Sequence, residues 1–142
     1  MKNRKTTLII AILLAATLVF SLVSCKSEDK TVWENATYKE DTVLGEGSAT
    51  FTLEVKALGR SVTFTISTDE VSLADALLKL SLIEGTEGDY GLYLEKVNGM
   101  TADYATEGSY WALYEDGKYA ASGISFTEVR DGGNYGLYKE KG

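Results

Sequence analysis

The sequence predicts an α+β, β-rich fold, in which a single helix packs on a mixed or mainly antiparallel sheet in a β-grasp-like arrangement. Three observations predict it. Apolar and polar residues alternate strictly in two runs, Ala49–Ala57 and Val62–Ile66, the period of half-buried strands. One stretch, beginning at Ser72, has helical spacing. After it come short apolar and aromatic runs separated by glycine turn pairs, the mark of further strands.

The elements follow in order. Phe51, Leu53 and Val55 alternate with Thr52, Glu54 and Lys56, and Val62, Phe64 and Ile66 alternate with Thr63 and Thr65. Leu58-Gly59-Arg60 between them is short enough to make antiparallel neighbours. Ser72 and Asp75 have the spacing of a helix N-terminal box. Leu73, Ala76, Leu77, Leu80 and Ile83 then share one face, and Glu84-Gly85 is expected to end the helix. Phe51, Leu53, Val55, Phe64, Ile66, Leu73, Leu77 and Leu80 are expected in the core. Leu92–Val97 reads as a strand stopped by Asn98-Gly99. Tyr110–Glu115 and Lys118–Ala121 flank Asp116-Gly117, a strong hairpin signal. Ile124–Phe126 and Tyr135–Lys139 read as two more strands.

The N-terminus has its own logic. Lys2, Arg4 and Lys5 precede an apolar run from Leu8 to Val23, shorter than the ~20 residues of a spanning helix. Leu22-Val23-Ser24-Cys25 resembles the lipobox of bacterial lipoprotein precursors. Residues 1–25 are therefore expected to be a lipoprotein signal peptide, with Cys25 lipidated as the mature N-terminus. Two acyl chains suffice for stable anchoring. Residues 26–47 are polar and aperiodic and are expected to form a flexible tether, from which Trp33 and Tyr38 stand out as residues able to dock. Residues 48–142 are expected to be the folded domain.

Charge and composition exclude much. The chain has 14 Lys+Arg against 21 Asp+Glu, net −7. The signal segment holds three of the basic residues and no acid, so the mature chain is more acidic still. That argues against nucleic acid as a partner. There is no histidine, and Cys25 is the only cysteine. Serine–histidine and cysteine–histidine catalysis and histidine-ligated zinc or haem are thereby excluded. No phosphate-binding loop or nucleophile elbow is present. The expectation is a protein that is not an enzyme, with no cofactor and no metal.

A series of residues then carries a family resemblance: Ala76-Leu77-Leu78, Ile83-Glu84-Gly85, Gly91-Leu92-Tyr93, Val97-Asn98-Gly99, Tyr110-Trp111-Ala112-Leu113-Tyr114, Gly117, Tyr119, Ala120-Ala121, Gly123 and Asp131-Gly132. The ordered series resembles the DUF4430 family, also called the transcobalamin-like C-terminal domain, over residues 45–140. The resemblance implies a small β-rich domain of surface lipoproteins from Gram-positive bacteria. It also implies similarity to the β-domain that helps close over cobalamin in transcobalamin and intrinsic factor. Those carriers hold cobalamin between this domain and a helical one. Gly133 departs from the family, which has an acidic residue after Asp-Gly.

Eight of the nine tyrosines lie between Tyr90 and Tyr138. Tyr110 and Tyr114 share one strand face, and Trp111 and Leu113 the other. Either Trp111 is core and the tyrosines bind, or the reverse. Tyrosine also suits strands for structural reasons alone. The candidate ligand-binding residues are Tyr110, Trp111, Tyr114 and Tyr119, with Asn98 and Gly99 at the rim. The expected function is a lipid-anchored extracellular binding module on the outer face of the cytoplasmic membrane. It would capture a small ligand such as a corrinoid near a transporter. The alternative is a protein-interaction or adhesion module whose partner is another surface protein.

Overall fold

The computed structural model describes residues 32–142. The signal peptide, Cys25 and the start of the tether lie outside the described residues. The chain divides into two units, residues 1–34 and 35–142. Of the first, the described part is a helical turn over residues 32–34, in which Trp33 is buried.

The second unit contains strands β1 (Thr42–Leu44), β2 (Ala49–Ala57) and β3 (Arg60–Thr68), helix α1 (Leu73–Lys79), strands β4 (Ile83–Gly88), β5 (Gly91–Val97) and β6 (Met100–Thr101), a helical turn α2 (Tyr104–Glu107), strands β7 (Ser109–Glu115) and β8 (Lys118–Tyr119), a 3-10 turn (Ile124–Phe126) and strand β9 (Asn134–Lys141). Six strands form a mixed sheet in the order β1-β3-β2-β9-β7-β8. Strands β4-β5-β6 form a separate antiparallel sheet.

The centre of the mixed sheet bears out the β-grasp-like expectation. β2 and β9 are parallel, and each has an antiparallel partner outside it, β3 and β7. Register puts Leu53 opposite Tyr135, and Val55 and Leu113 both opposite Leu137. The inner face therefore collects Phe51, Leu53, Val55, Phe64, Ile66, Trp111, Leu113 and Leu137, all buried. α1 contributes Leu73, Ala74, Ala76 and Leu77 to the same core. At roughly 1.5–3 kcal/mol for each large apolar side chain enclosed, this layer dominates the stability of the unit.

Three of the hairpin turns have one chemistry. Leu58-Gly59, Asn98-Gly99 and Asp116-Gly117 all have positive φ at both residues. That is the two-residue turn whose twist matches antiparallel strands.

Three expectations change. The helix stops at Lys79, short of Glu84, and Leu80 at its cap is half-buried. Ser81 turns into the left-handed region at φ 55, Ser81 N–H donates to Leu78 O and Leu82 N–H to Leu77 O. This paired C-terminal bond pattern reverses the chain, so Leu82 and Ile83 enter the core from a strand. Ile124–Phe126 is a 3-10 turn, not a strand: Phe126 N–H and the Thr127 hydroxyl both bond Gly123 O. The Ser125 hydroxyl accepts from Leu92 N–H, so the segment serves as a brace for β5.

The expected tether also ends earlier than Gly47. β1 pairs in parallel with β3, placing Thr42 opposite Phe64. The Tyr38 ring meets Phe64 edge-on at 5.6 Å. Asp41 accepts from Thr63 N–H, and Arg60 donates to Lys39 O. These bonds compensate the conformational entropy that a polar, aperiodic segment loses on ordering.

Candidate functional site

β8 is only two residues long and pairs with Tyr114 and Glu115 alone. The earlier part of β7 therefore has β9 on one side and no strand of its own sheet on the other. A cleft of about 350 Å³ opens there, against β5. Leu92 and Leu94 line it from β5, Trp111 and Leu113 from β7, and Ile124 from the 3-10 turn. Ala120, Ala121, Ser122 and Gly123 add a wall of small residues, and Tyr93, Tyr110 and Tyr119 complete the lining.

Two features mark the cleft chemically. Tyr93 is 53% exposed and Tyr119 64%, so large ring area faces water at its mouth. Trp111 is 6% exposed, and its Nε1–H is buried without a hydrogen-bond partner among the described residues. An unpaired buried donor is costly, and native folds retain few of them. Trp111 thus brings an unsatisfied buried donor to the residues that line the cleft.

The alternation of β7 puts Tyr110 and Tyr114 on the opposite, outer face of the sheet. Both are half-buried. The Tyr110 hydroxyl donates to Glu140 Oε2 at 3.4 Å and the Tyr114 hydroxyl to Glu140 Oε1 at 2.5 Å. That hydrogen bond, then desolvation, pushes the Tyr114 phenol up to about 12. Burial and the Glu140 charge also raise Tyr110. Of the two alternatives left open by the sequence, Trp111 takes the inner side, and Tyr110 and Tyr114 the outer.

Asn98 and Gly99 do not rim this site. Asn98 is fully buried in the β5–β6 turn. Its Oδ1 accepts from Tyr38 N–H at 2.9 Å and its Nδ2 donates to Tyr38 O at 2.8 Å. A side chain at Gly99 would run into the Asn35 carbonyl. Both residues hold the N-terminal segment to the second sheet. Sequence reasoning missed Leu92, Tyr93 and Leu94, which lie on a different sheet from Trp111. Their only signal was the Gly91-Leu92-Tyr93 motif.

A second hollow of about 350 Å³ lies along β5 and β6, lined by Glu84, Tyr93, Glu95, Lys96, Thr101, Ala102 and Asp103. Lys96 pairs with Glu84 across it at 3.6 Å. Among the described residues, no group of three or more Cys, Asp or Glu is placed to share a metal ion.

The fold and cleft define a small, β-rich α+β domain with a cleft between its two sheets. Residues 70–134 match the family described as domain of unknown function DUF4430. A crystal structure from Ruminococcus gnavus ATCC 29149, of a protein provisionally described as metal-binding, is similar with a TM-score of 0.63 and 26% identity. The match covers 67% of this chain and 99% of that one. The fold also resembles haptocorrin, solved in complex with Cbi, with a TM-score of 0.50 and 21% identity. That match covers 66% of this chain and 25% of haptocorrin, so the chain spans about a quarter of that protein's length. No curated protein sequence matches the chain.

Proposed function

We propose that this chain is a lipid-anchored extracellular binding module that holds a small organic ligand in the cleft between β5 and β7. The observation that carries the reading is the orphaned Trp111 Nε1–H in an apolar cleft with exposed Tyr93 and Tyr119 at its mouth. Ligand sites are apolar concavities with a few placed polar groups, of about 300–1,000 Å³. This cleft is at the small end of that range. A corrinoid, the class suggested by the Cbi complex of haptocorrin, would engage it by one edge and leave the rest open. The role is capture and delivery to a transporter, without chemistry on the ligand.

Titration calorimetry with cobalamin and related corrinoids tests the ligand class. Binding that weakens in Tyr119→Ala and Trp111→Phe supports the cleft. No heat with any corrinoid, together with unchanged Trp111 fluorescence in a Trp33→Phe background, would remove corrinoids as the ligand. Anchoring is tested separately. Cys25→Ser should leave unprocessed precursor or release the protein from membranes, and normal processing of that variant would end the lipoprotein reading.

A further inference from the structure

We propose that the outer face of the six-stranded sheet is a docking surface for an arginine-bearing segment of a partner polypeptide. This face adjoins the cleft, with Tyr110 and Tyr119 bordering both, but Tyr114, Tyr138, Glu54 and Glu140 take no part in the cleft lining. Tyr114 and Tyr138 stack at 4.6 Å with their planes 30° apart, and Tyr119 meets Tyr114 edge-on at 5.7 Å. Gly136 makes this possible, because a side chain there would come within 2.7 Å of the Tyr138 ring.

Two carboxylates flank the ring cluster. Glu140 accepts from Tyr110 and Tyr114, and Glu54 lies close enough to Tyr138 to raise its phenol. The neighbouring Glu140 and Glu54 carboxylates are the main reason why the Tyr114 and Tyr138 phenols are pushed up to about 12. Among the described residues, neither Glu54 nor Glu140 forms an ion pair with a lysine or arginine. The face therefore presents electron-rich rings and two carboxylates that no ion pair neutralises.

The complement of such a face is cationic, because ring quadrupoles and carboxylates attract the same charge. Lys56 already illustrates this: its Nζ lies 5.6 Å from the centroid of the Tyr138 ring. Arginine fits better than a further ammonium. Its guanidinium is planar, stacks on aromatic faces and forks onto carboxylates. A polypeptide fits better than a small organic cation, since Tyr119 is 64% exposed and the sheet face is open. The acidic balance of the chain, 21 Asp+Glu against 14 Lys+Arg, draws a basic partner toward it.

The test is a titration of a short arginine peptide, read by calorimetry and by NMR shifts of the tyrosine rings. A lysine peptide of equal charge and tetramethylammonium are the comparison probes. The proteins are wild type, Tyr114→Leu, Glu140→Gln and, as a charge control on β4 of the other sheet, Glu87→Gln. The arginine peptide should shift the Tyr114 and Tyr138 ring signals. Its affinity should fall about three- to fivefold or more in Tyr114→Leu and Glu140→Gln and stay unchanged in Glu87→Gln. If Tyr114→Leu does not fold, the near-isosteric Glu140→Gln decides. Equal binding to all four proteins would reduce the effect to net charge and overturn the proposal. So would an absence of binding, equal affinity for the lysine peptide, or equal competition by tetramethylammonium. Tyr114 and Glu140 lie outside the cleft lining, so these outcomes are distinguishable from a failure of corrinoid binding.

Discussion

Asn98→Ala is expected to destabilise the domain by about 2–4 kcal/mol. Asn98 is fully enclosed, and its amide bonds both the N–H and the C=O of Tyr38. Each such bond contributes about 0.5–1.5 kcal/mol net, so losing both removes roughly 1–3. Asn98 also sits at φ 51, where alanine is less tolerated by roughly 1 kcal/mol. Asn98→Gly separates the two contributions, because it loses the bonds and keeps the turn; it should fall short of the alanine loss by about the backbone cost. The assay is urea unfolding, compared at equal slope. Amide exchange gives a local check: Thr37 N–H, bonded to Asn98 O, and Tyr38 N–H should lose protection first. A loss below about 1 kcal/mol for Asn98→Ala would mean that water replaces the amide, and the clamp on the N-terminal segment would be refuted.

Three further outcomes are expected. Leu77→Ala should cost ~2–5 kcal/mol by urea unfolding, because the side chain is wholly enclosed between helix and sheet; a loss under ~1 would undo that packing. Ser81→Gly should stabilise the domain by roughly 0.5–1 kcal/mol, since an exposed serine holds the left-handed position that reverses the chain after α1; destabilisation would refute the strain argument. Tyr114 and Tyr138 have folded-state pKa values raised above the unfolded value, so their contribution is complete below about pH 10 and is lost as pH rises toward about 12. Tyrosinate absorbance should show these two titrating late and stability falling over that window. Ordinary titration of all tyrosines would remove Glu140 and Glu54 as their partners.

Several features could be read without coordinates because their signals are local. The alternation in β2 and β3 reports which residues face the core, and a strand buried on one side obeys a period of two whatever it packs against. The Asp116-Gly117 turn and the Ser72 cap, whose hydroxyl accepts from Asp75 N–H at 3.1 Å, are likewise short-range chemistry. The helix end could not be read. Ser81 carries none of the glycine signal usual at that position, and Leu82 and Ile83 continue the helical spacing by chance. Ile124–Phe126 was too short for its apolar spacing to separate a strand from a 3-10 turn.

For the candidate site, the sequence by itself determined which residue types were available: a tyrosine-rich second half, a Tyr-Trp strand, an acidic balance and no histidine. Alternation also determined that Trp111 must face away from Tyr110 and Tyr114. It did not determine which side was core, because that depends on what covers each face of the sheet. Register with β9 decided it, aligning Leu113 with Leu137 on the enclosed side and placing Glu140 beside the tyrosine hydroxyls. The cleft arose from an approach between β5 and β7, strands of different sheets with β6 and a turn of helix between them in sequence. Asn98 shows the same limit. Its neighbours mark it as a turn residue, and only the return of Tyr38, sixty positions earlier in the chain, made it a buried clamp. Local patterns encode conformation and facing; contacts between distant segments depend on how the layers pack, and that is where tertiary structure decided the site.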